Sequence, residues 1–462
     1  MLTLPLFLRM KFYTFIFISL FGLKTTASFA QNDSTAGGQH QRLGMTLDGT
    51  RTNTSPNTDP RAQWFPKAGL GLFIHWGAVT QYAGCDLSWG MLANKPWNDG
   101  TVTPNFYYHL MDTWAPAHFN PNKLALLAKA AGFEYMVLVT KHHDGYTMWP
   151  SKYGDLGVRT KMHGHDFVRE FVTACRAAGL KVGLYYSPPD WWFDRKYKNW
   201  SFNDSVFLNM DHHKITPPAK PADHDAQRRA MVAAQVRELL TQYGKIDLFW
   251  FDGGSGEISN EEVRKLQPGI VINGRNGEEG DYRDSEGKIP EKRFSSWFET
   301  CDPIWTTNWW SYTNSDTYDN AHDVITELIK LRAWGGNLLG NLAPDADGNI
   351  PPQALQGLQE MTTWMRRNGA SIHGTQAGGY PETANVPVTT KGNHLYVFFL
   401  TTFQASAQLR DVDPPCSAIL LRTGTPIHFD YDRSTRTLTI LIPPKLRTRM
   451  PDVVDVKTGG PA

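Results

Sequence analysis

The chain has 462 residues, with 46 basic and 45 acidic side chains and a net charge of +1, which leaves no electrostatic footprint for nucleic acid or another strongly anionic partner. Hydrophobic residues make up 41% and charged residues 20%, so a large core is easily formed, and the length predicts two or three domains or one barrel with a smaller companion. The four cysteines, Cys85, Cys175, Cys301 and Cys416, show no C-x-x-C spacing, which argues against a zinc or iron–sulfur centre.

At the N-terminus, Lys11 precedes the largely apolar run Phe12 to Leu23, and Ser28-Phe29-Ala30 supplies a small-x-small cleavage pattern. This predicts a secretory signal peptide over residues 1–30, because the apolar run is too short to span a bilayer. A polar, flexible leader is expected over 31–58. The chain is therefore expected to be secreted or periplasmic, without a membrane span.

From Trp64 onward, apolar runs alternate with helical patterns. "LGLFIHWG" (70–77) predicts a buried strand, and "NPNKLALLAKAAG" (120–132) a helix that stops at Gly132. "EYMVLVT" (134–140) is the next strand, and "HDFVREFVTACRAAG" (165–179) a helix with Asp166 near its start and Gly179 at its end. "LKVGLYYS" (180–187), a helix over 226–244, "KIDLFWFDGG" (245–254) and "GIVING" (269–274) continue the alternation. Such units imply a parallel sheet, and more than 250 residues of them favour a (β/α)8 TIM-like barrel over an open sheet. No G-x-G-x-x-G follows the first strand, which weighs against a dinucleotide fold. The barrel is expected over 59–376. Beyond it, "HLYVFFL" (394–400), "SAILLR" (417–422), "PIHFDYD" (426–432) and "TLTILIPP" (437–444) lack a helical period, and an antiparallel β-sandwich is expected over 377–462.

The strand ends carry the chemistry. The first ends at His75 and Trp76, the second at Lys141, His142, His143 and Asp144, the third at Tyr185 and Tyr186, the fourth at Trp250 and Asp252, and the fifth at Asn273 and Arg275. Barrel enzymes build their sites at the C-terminal strand ends, so these groups are expected to converge. A single histidine there is more often a structural residue, and an acid after a strand is often a helix cap; convergence shifts that balance. Two carboxylates with aromatic walls suit glycoside hydrolysis, one attacking the anomeric carbon and the other protonating the leaving oxygen. Asp252 suits the first role, and Glu278, Glu279, Asp281, Glu286 and Glu299 are candidates for the second.

Five segments in order, "WFPKAGLGLFIHWGAVT", "YMVLVTKHHDGYTMWPSKY", "GLKVGLYYSPPDWW", "DLFWFDGG" and "GGNLLGNLAPDADGNIPP", resemble glycoside hydrolase family 29, the retaining exo-α-L-fucosidases. The resemblance runs from Trp64 to at least Thr375. It implies Asp252 as nucleophile beside Trp250, and His75, His142 and His143 as hydrogen-bonding partners of the sugar hydroxyls. It also implies a sugar-contacting tyrosine at Tyr185 or Tyr186, with Tyr186 favoured, and Arg275 near the ring. "GDYRDSEGKIP" (280–290) places the acid/base at Glu286, with Glu299 in "WFETC" as second choice. The implied partner is a fucosylated glycan; no cofactor and no metal are implied.

The sequence departs from the family pattern in three places. "NFYYHLM" puts Asn105 and Phe106 where members often carry E-W-Y, and Phe106 near C6 would favour a methyl group there. An extra segment, "CDLSWGMLANKPWNDG" (85–100), precedes it, and Ser285 replaces the usual proline before Glu286. Alternatives are a same-family enzyme for a related sugar such as an α-L-galactoside, an inactive carbohydrate-binding barrel, and a metal hydrolase on His75, His142, His143 and Asp144. Against the last, neighbours along an extended strand point to opposite faces.

Overall fold

The computed structural model describes residues 54–94, 102–305, 309–314, 318–404 and 406–459. The predicted signal peptide and most of the leader lie outside these residues. Besides short helical turns, the first part of the chain runs β1 (Leu70–Ile74), α1 (Pro104–Thr113), α2 (Pro121–Ala130), β2 (Tyr135–Lys141), α3 (Phe167–Ala177), β3 (Lys181–Tyr186), α4 (His224–Gln242) and β4 (Leu248–Phe251). It continues with α5 (Asn260–Leu266), β5 (Val271–Ile272), β6 (Arg283–Glu286), β7 (Phe298–Asp302), α6 (Ala321–Ala333), β8 (Asn337–Leu342) and α7 (Pro352–Asn368). Helix starts are fixed locally: Thr103, Asn120 and Asp166 each accept a backbone N–H from the first turn.

The eight strands form one parallel sheet in the order β5-β4-β3-β2-β1-β8-β7-β6. The two outer strands meet through a single parallel bridge, Asn273 with Tyr282, and the Asp281 N–H donates to the Ile272 carbonyl at 2.8 Å. The curled sheet thus closes along a narrow seam. Two crossovers differ from the expected pattern. Among the described residues, the links from β5 to β6 and from β6 to β7 carry no helix, being too short for a full crossover. The first of them delivers Arg275.

Alternation sorts the side chains. Phe73, Tyr135, Tyr185, Trp250 and Leu339 fill the barrel interior, while Leu72, Leu138, Tyr186 and Phe249 pack outward under the helices. Tyr135 needs room on β1: a Cβ at Gly71 would sit 2.2 Å from its ring, so glycine is required there.

The C-terminal part has a six-stranded antiparallel sheet ordered Thr425–Pro426, Pro415–Leu420, Asp452–Thr458, His394–Phe399, Val388–Lys391 and Gln376–Ala377. A three-stranded sheet (Ser406–Leu409, Thr437–Leu441, Phe429–Asp432) packs on it around a second core. The predicted strand 426–432 is split between the two sheets. Along His394–Phe399, Tyr396 and Phe398 join the barrel's core, whereas Val397 and Phe399 join the sandwich core. Among the described residues, no helix is long and apolar enough to cross a membrane.

Candidate active site

Seven of the eight strand ends line one narrow cavity, two more than the five anticipated. Its walls include His75, His142, Tyr185, Trp250, Asp252 and Arg275 from the first five strands and their following residues, and Glu286 and Cys301 from β6 and β7. Asn341 on β8 supports it from behind. Gly253, at φ 83°, turns the chain sharply after Asp252, where a residue with a side chain would be strained.

Asp252 is held on three sides. Oδ2 accepts from the Tyr185 hydroxyl at 2.7 Å and lies 3.5 Å from His143 Nε2, while Oδ1 lies 3.2 Å from Arg275 Nη1. Arg275 is the hub. Its Nη1 and Nη2 both reach Glu286 Oε2 at 3.1 Å, its Nε donates to Asp284, and its guanidinium lies 4.5 Å above the Trp250 ring. Only 3% of the Arg275 side chain is exposed, so these charges interact with little solvent screening. Burial pushes Asp284 up, and Arg275 pulls it partly back.

Neighbouring side chains hold each of the three histidines at Nδ1. Asn341 donates its amide to the Trp310 carbonyl at 2.8 Å, so its oxygen faces His75 Nδ1, also at 2.8 Å. Nδ1 therefore carries the proton, and Nε2 is an acceptor. Burial holds His75 down to about 4. His142 lies well below the ordinary imidazole range, through burial first and then through the neighbouring His143 and His75. Its Nδ1 meets Ser88 Oγ at 2.5 Å. Ser187 Oγ donates to the Pro189 carbonyl at 3.2 Å and so accepts from His143 Nδ1 at 2.5 Å.

Three expectations need correction. Tyr186 does not reach the cavity: strand alternation turns it outward, where its hydroxyl donates to Gln235 at 2.7 Å beneath α4, and Tyr185 takes the inner position. Phe106 is 42% exposed on α1, whose buried face is Pro104, Tyr107, Tyr108 and Met111; its ring meets Tyr82, so it forms no wall for a sugar methyl. Adjacent histidines do not diverge. The β2–β3 register shifts between Val139 and Lys141, and β2 ends there, so the His142 and His143 rings turn to one side with centroids 4.4 Å apart.

The acidic candidates separate clearly. Glu286 lines the cavity. Glu299 sits inside the barrel, accepting from Tyr135, from Tyr282 at 3.1 Å and from the Trp250 indole at 3.2 Å, and burial raises it to about 7. Glu278 accepts from the Asn260 N–H at the start of α5, and Asp281 is taken up by Arg264 and the Ile272 N–H. Asp144 leaves the site altogether, accepting from Tyr107 at 2.8 Å and from the Tyr146 N–H at 2.9 Å, so the metal quartet that included it does not assemble.

Several contributors escaped the sequence reading. The extra segment at 85–100 supplies Ser88 behind His142 and Trp89 to the cavity wall, and Trp310 closes the side of His75 at 5.0 Å between ring centroids. Their signal was only aromatic abundance in loops. Asn341, within "GNLLGNLAP", was visible as a polar residue in an apolar strand.

The sequence profile of the family described as alpha-L-fucosidase matches residues 44–370. The chain is 28% identical over 387 residues to the tissue alpha-L-fucosidase of Bos taurus, covering 75% of this chain and 76% of that one. Alpha-L-fucosidase isoenzyme 1 from Paenibacillus thiaminolyticus superposes with a TM-score of 0.75 at 28% identity, over 87% of this chain and 99% of its own. An alpha-L-fucosidase from Bacteroides thetaiotaomicron, solved as a trapped covalent intermediate with 2-fluoro-fucosyl fluoride, superposes with a TM-score of 0.73 at 25% identity, over 88% and 98%. The strand-end cavity with its two carboxylates therefore sits in a protein that belongs to the α-L-fucosidase family of glycoside hydrolases.

Proposed function

We propose that this chain is a secreted or periplasmic retaining exo-glycosidase that removes terminal α-L-fucosyl residues from glycans, with Asp252 as nucleophile and Glu286 as acid/base. The observation that carries the reading is Arg275 Nη1, which contacts Asp252 Oδ1 at 3.2 Å and Glu286 Oε2 at 3.1 Å. Laid end to end, those two contacts fall short of the roughly 6.5–9.5 Å by which inverting pairs are separated to admit a water, which supports a retaining pair. The trapped covalent intermediate of the Bacteroides relative supports the same chemistry.

In the first step an Asp252 oxygen bonds to the anomeric carbon as the glycosidic bond breaks, and Glu286 gives its proton to the departing oxygen. In the second, water attacks the same carbon, its proton passes to Glu286, and Asp252 leaves as carboxylate. The Tyr185 hydroxyl and Arg275 stabilise Asp252 as an anion before attack and after release. Once Asp252 is esterified, Arg275 remains as the counter-ion of the deprotonated Glu286, which suits its role as base. His75 Nε2 offers an acceptor to a sugar hydroxyl, and the Trp250 ring adds an apolar part to the wall.

The test is hydrolysis of aryl α-L-fucoside and aryl α-L-galactoside, with and without EDTA. Faster turnover of the fucoside, undiminished by EDTA, is expected. No turnover of either would sink the enzymatic reading, and a preference for the galactoside would move it to the related sugar.

A further inference from the structure

We propose that His142, His143 and Asp252 also form a site for a soft divalent cation, Zn2+ or Cu2+, which overlaps the sugar pocket and blocks it reversibly. One ligand atom from each of the three buried residues lies within 4.8 Å of the others. The shift in register at the end of β2 brings the two rings to one side. Each ring is held at Nδ1 by a hydroxyl, Ser88 for His142 and Ser187 for His143, and His143 Nε2 lies 3.5 Å from Asp252 Oδ2. Metal sites characteristically orient their imidazoles in this way.

Two imidazoles and one carboxylate favour Zn2+ or Cu2+ over Mg2+ or Ca2+, which seek oxygen-rich shells. Two features keep the affinity moderate. Bonds of about 2.0–2.2 Å require the donor atoms to draw closer together than 4.8 Å. Arg275 already neutralises part of the Asp252 charge at 3.2 Å. Both suit a reversible inhibitory site and not a resident cofactor. The metal site stands on geometry; only its consequence, competition with the sugar, rests on the proposed fucosidase reading.

The experiment is calorimetric titration of the metal-stripped full chain with ZnCl2, with MgCl2 as the comparison ion. One zinc per chain is expected at this site, weakened about tenfold or more in both His142→Gln and His143→Gln and by a similar factor in Ser88→Ala. Excess L-fucose should raise the apparent zinc Kd of the wild type. The visible absorption of Co2+ bound to the wild type, lost on adding L-fucose, reads the same competition without any variant. Zinc affinity unchanged by both histidine replacements would overturn the proposal, as would L-fucose and zinc binding independently to the wild type. L-fucose is also titrated alone into the metal-free chain. If it fails to bind there, the fucosidase reading is at fault, and the histidine variants still decide the metal site.

Discussion

Glu286 and Glu299 lie on adjacent strands, and the register sets them one layer apart: Asp284 pairs with Glu299, and Glu286 pairs with Cys301. That one layer separates two chemistries. At the mouth, the Glu286 side chain is 25% exposed and shares Arg275 with Asp252. Below, Glu299 is fully buried and its acceptors are taken by two tyrosines and an indole. The upper carboxylate can exchange protons with a substrate and with water; the lower one holds Trp250 from beneath. A glutamate in a barrel strand thus gains its role from its height along the axis more than from its sequence neighbours.

The largest expected effect lies at the mouth. Asp252→Gly should lower kcat by about 10^4-fold or more, with partial rescue by azide, measured on an aryl α-L-fucoside. Next, Glu286→Ala should cost roughly 10^2–10^4 in kcat on natural glycans and much less on aryl fucosides with good leaving groups. If Glu299→Ala shows that leaving-group pattern and Glu286→Ala does not, the two roles are reversed.

Glu299 sharpens the comparison through stability. Its folded pKa of about 7 lies above the ordinary 4.5, so folding retains its proton. The stability it contributes is complete below about 4.5 and is lost as pH rises through about 7, a change of about 3 kcal/mol at most. Glutamine cannot titrate, so denaturant melts should show Glu299→Gln gaining on the wild type between about pH 5 and pH 8. A constant difference across that range would remove the buried-acid account. The smallest effects separate the tyrosines. Tyr185→Phe should reduce kcat by about tenfold by removing one hydrogen bond to Asp252. Tyr186→Phe should leave kcat intact and cost about 1–3 kcal/mol, because it strands buried Gln235.

Much of this was legible in the sequence. Strands β1 to β4 announced themselves as apolar runs ending in polar residues, and "WFDGG" marked Asp252 by its place after a buried strand. What escaped has physical reasons. Strand β6 is short and polar (Arg-Asp-Ser-Glu), so no apolar period reveals it. The choice between Tyr185 and Tyr186 depends on strand phase, where a slip of one residue exchanges faces. The turn of His142 and His143 to one side depends on a register shift that composition does not encode. Ser88 and Trp89 come from a loop, whose conformation follows from contacts distant in sequence.

The barrel's seam has a further consequence for motion. Seven strand neighbours are joined by ladders, but β5 and β6 meet at the single bridge between Asn273 and Tyr282. Hydrogen exchange should therefore find the Asp281 amide among the first barrel amides to lose protection, in openings far smaller than global unfolding. Arg275 sits on the segment that spans the seam, so each such opening would release its grip on both carboxylates. As temperature rises, catalytic competence would then fade before the fold does, at the one join where the barrel is least laced.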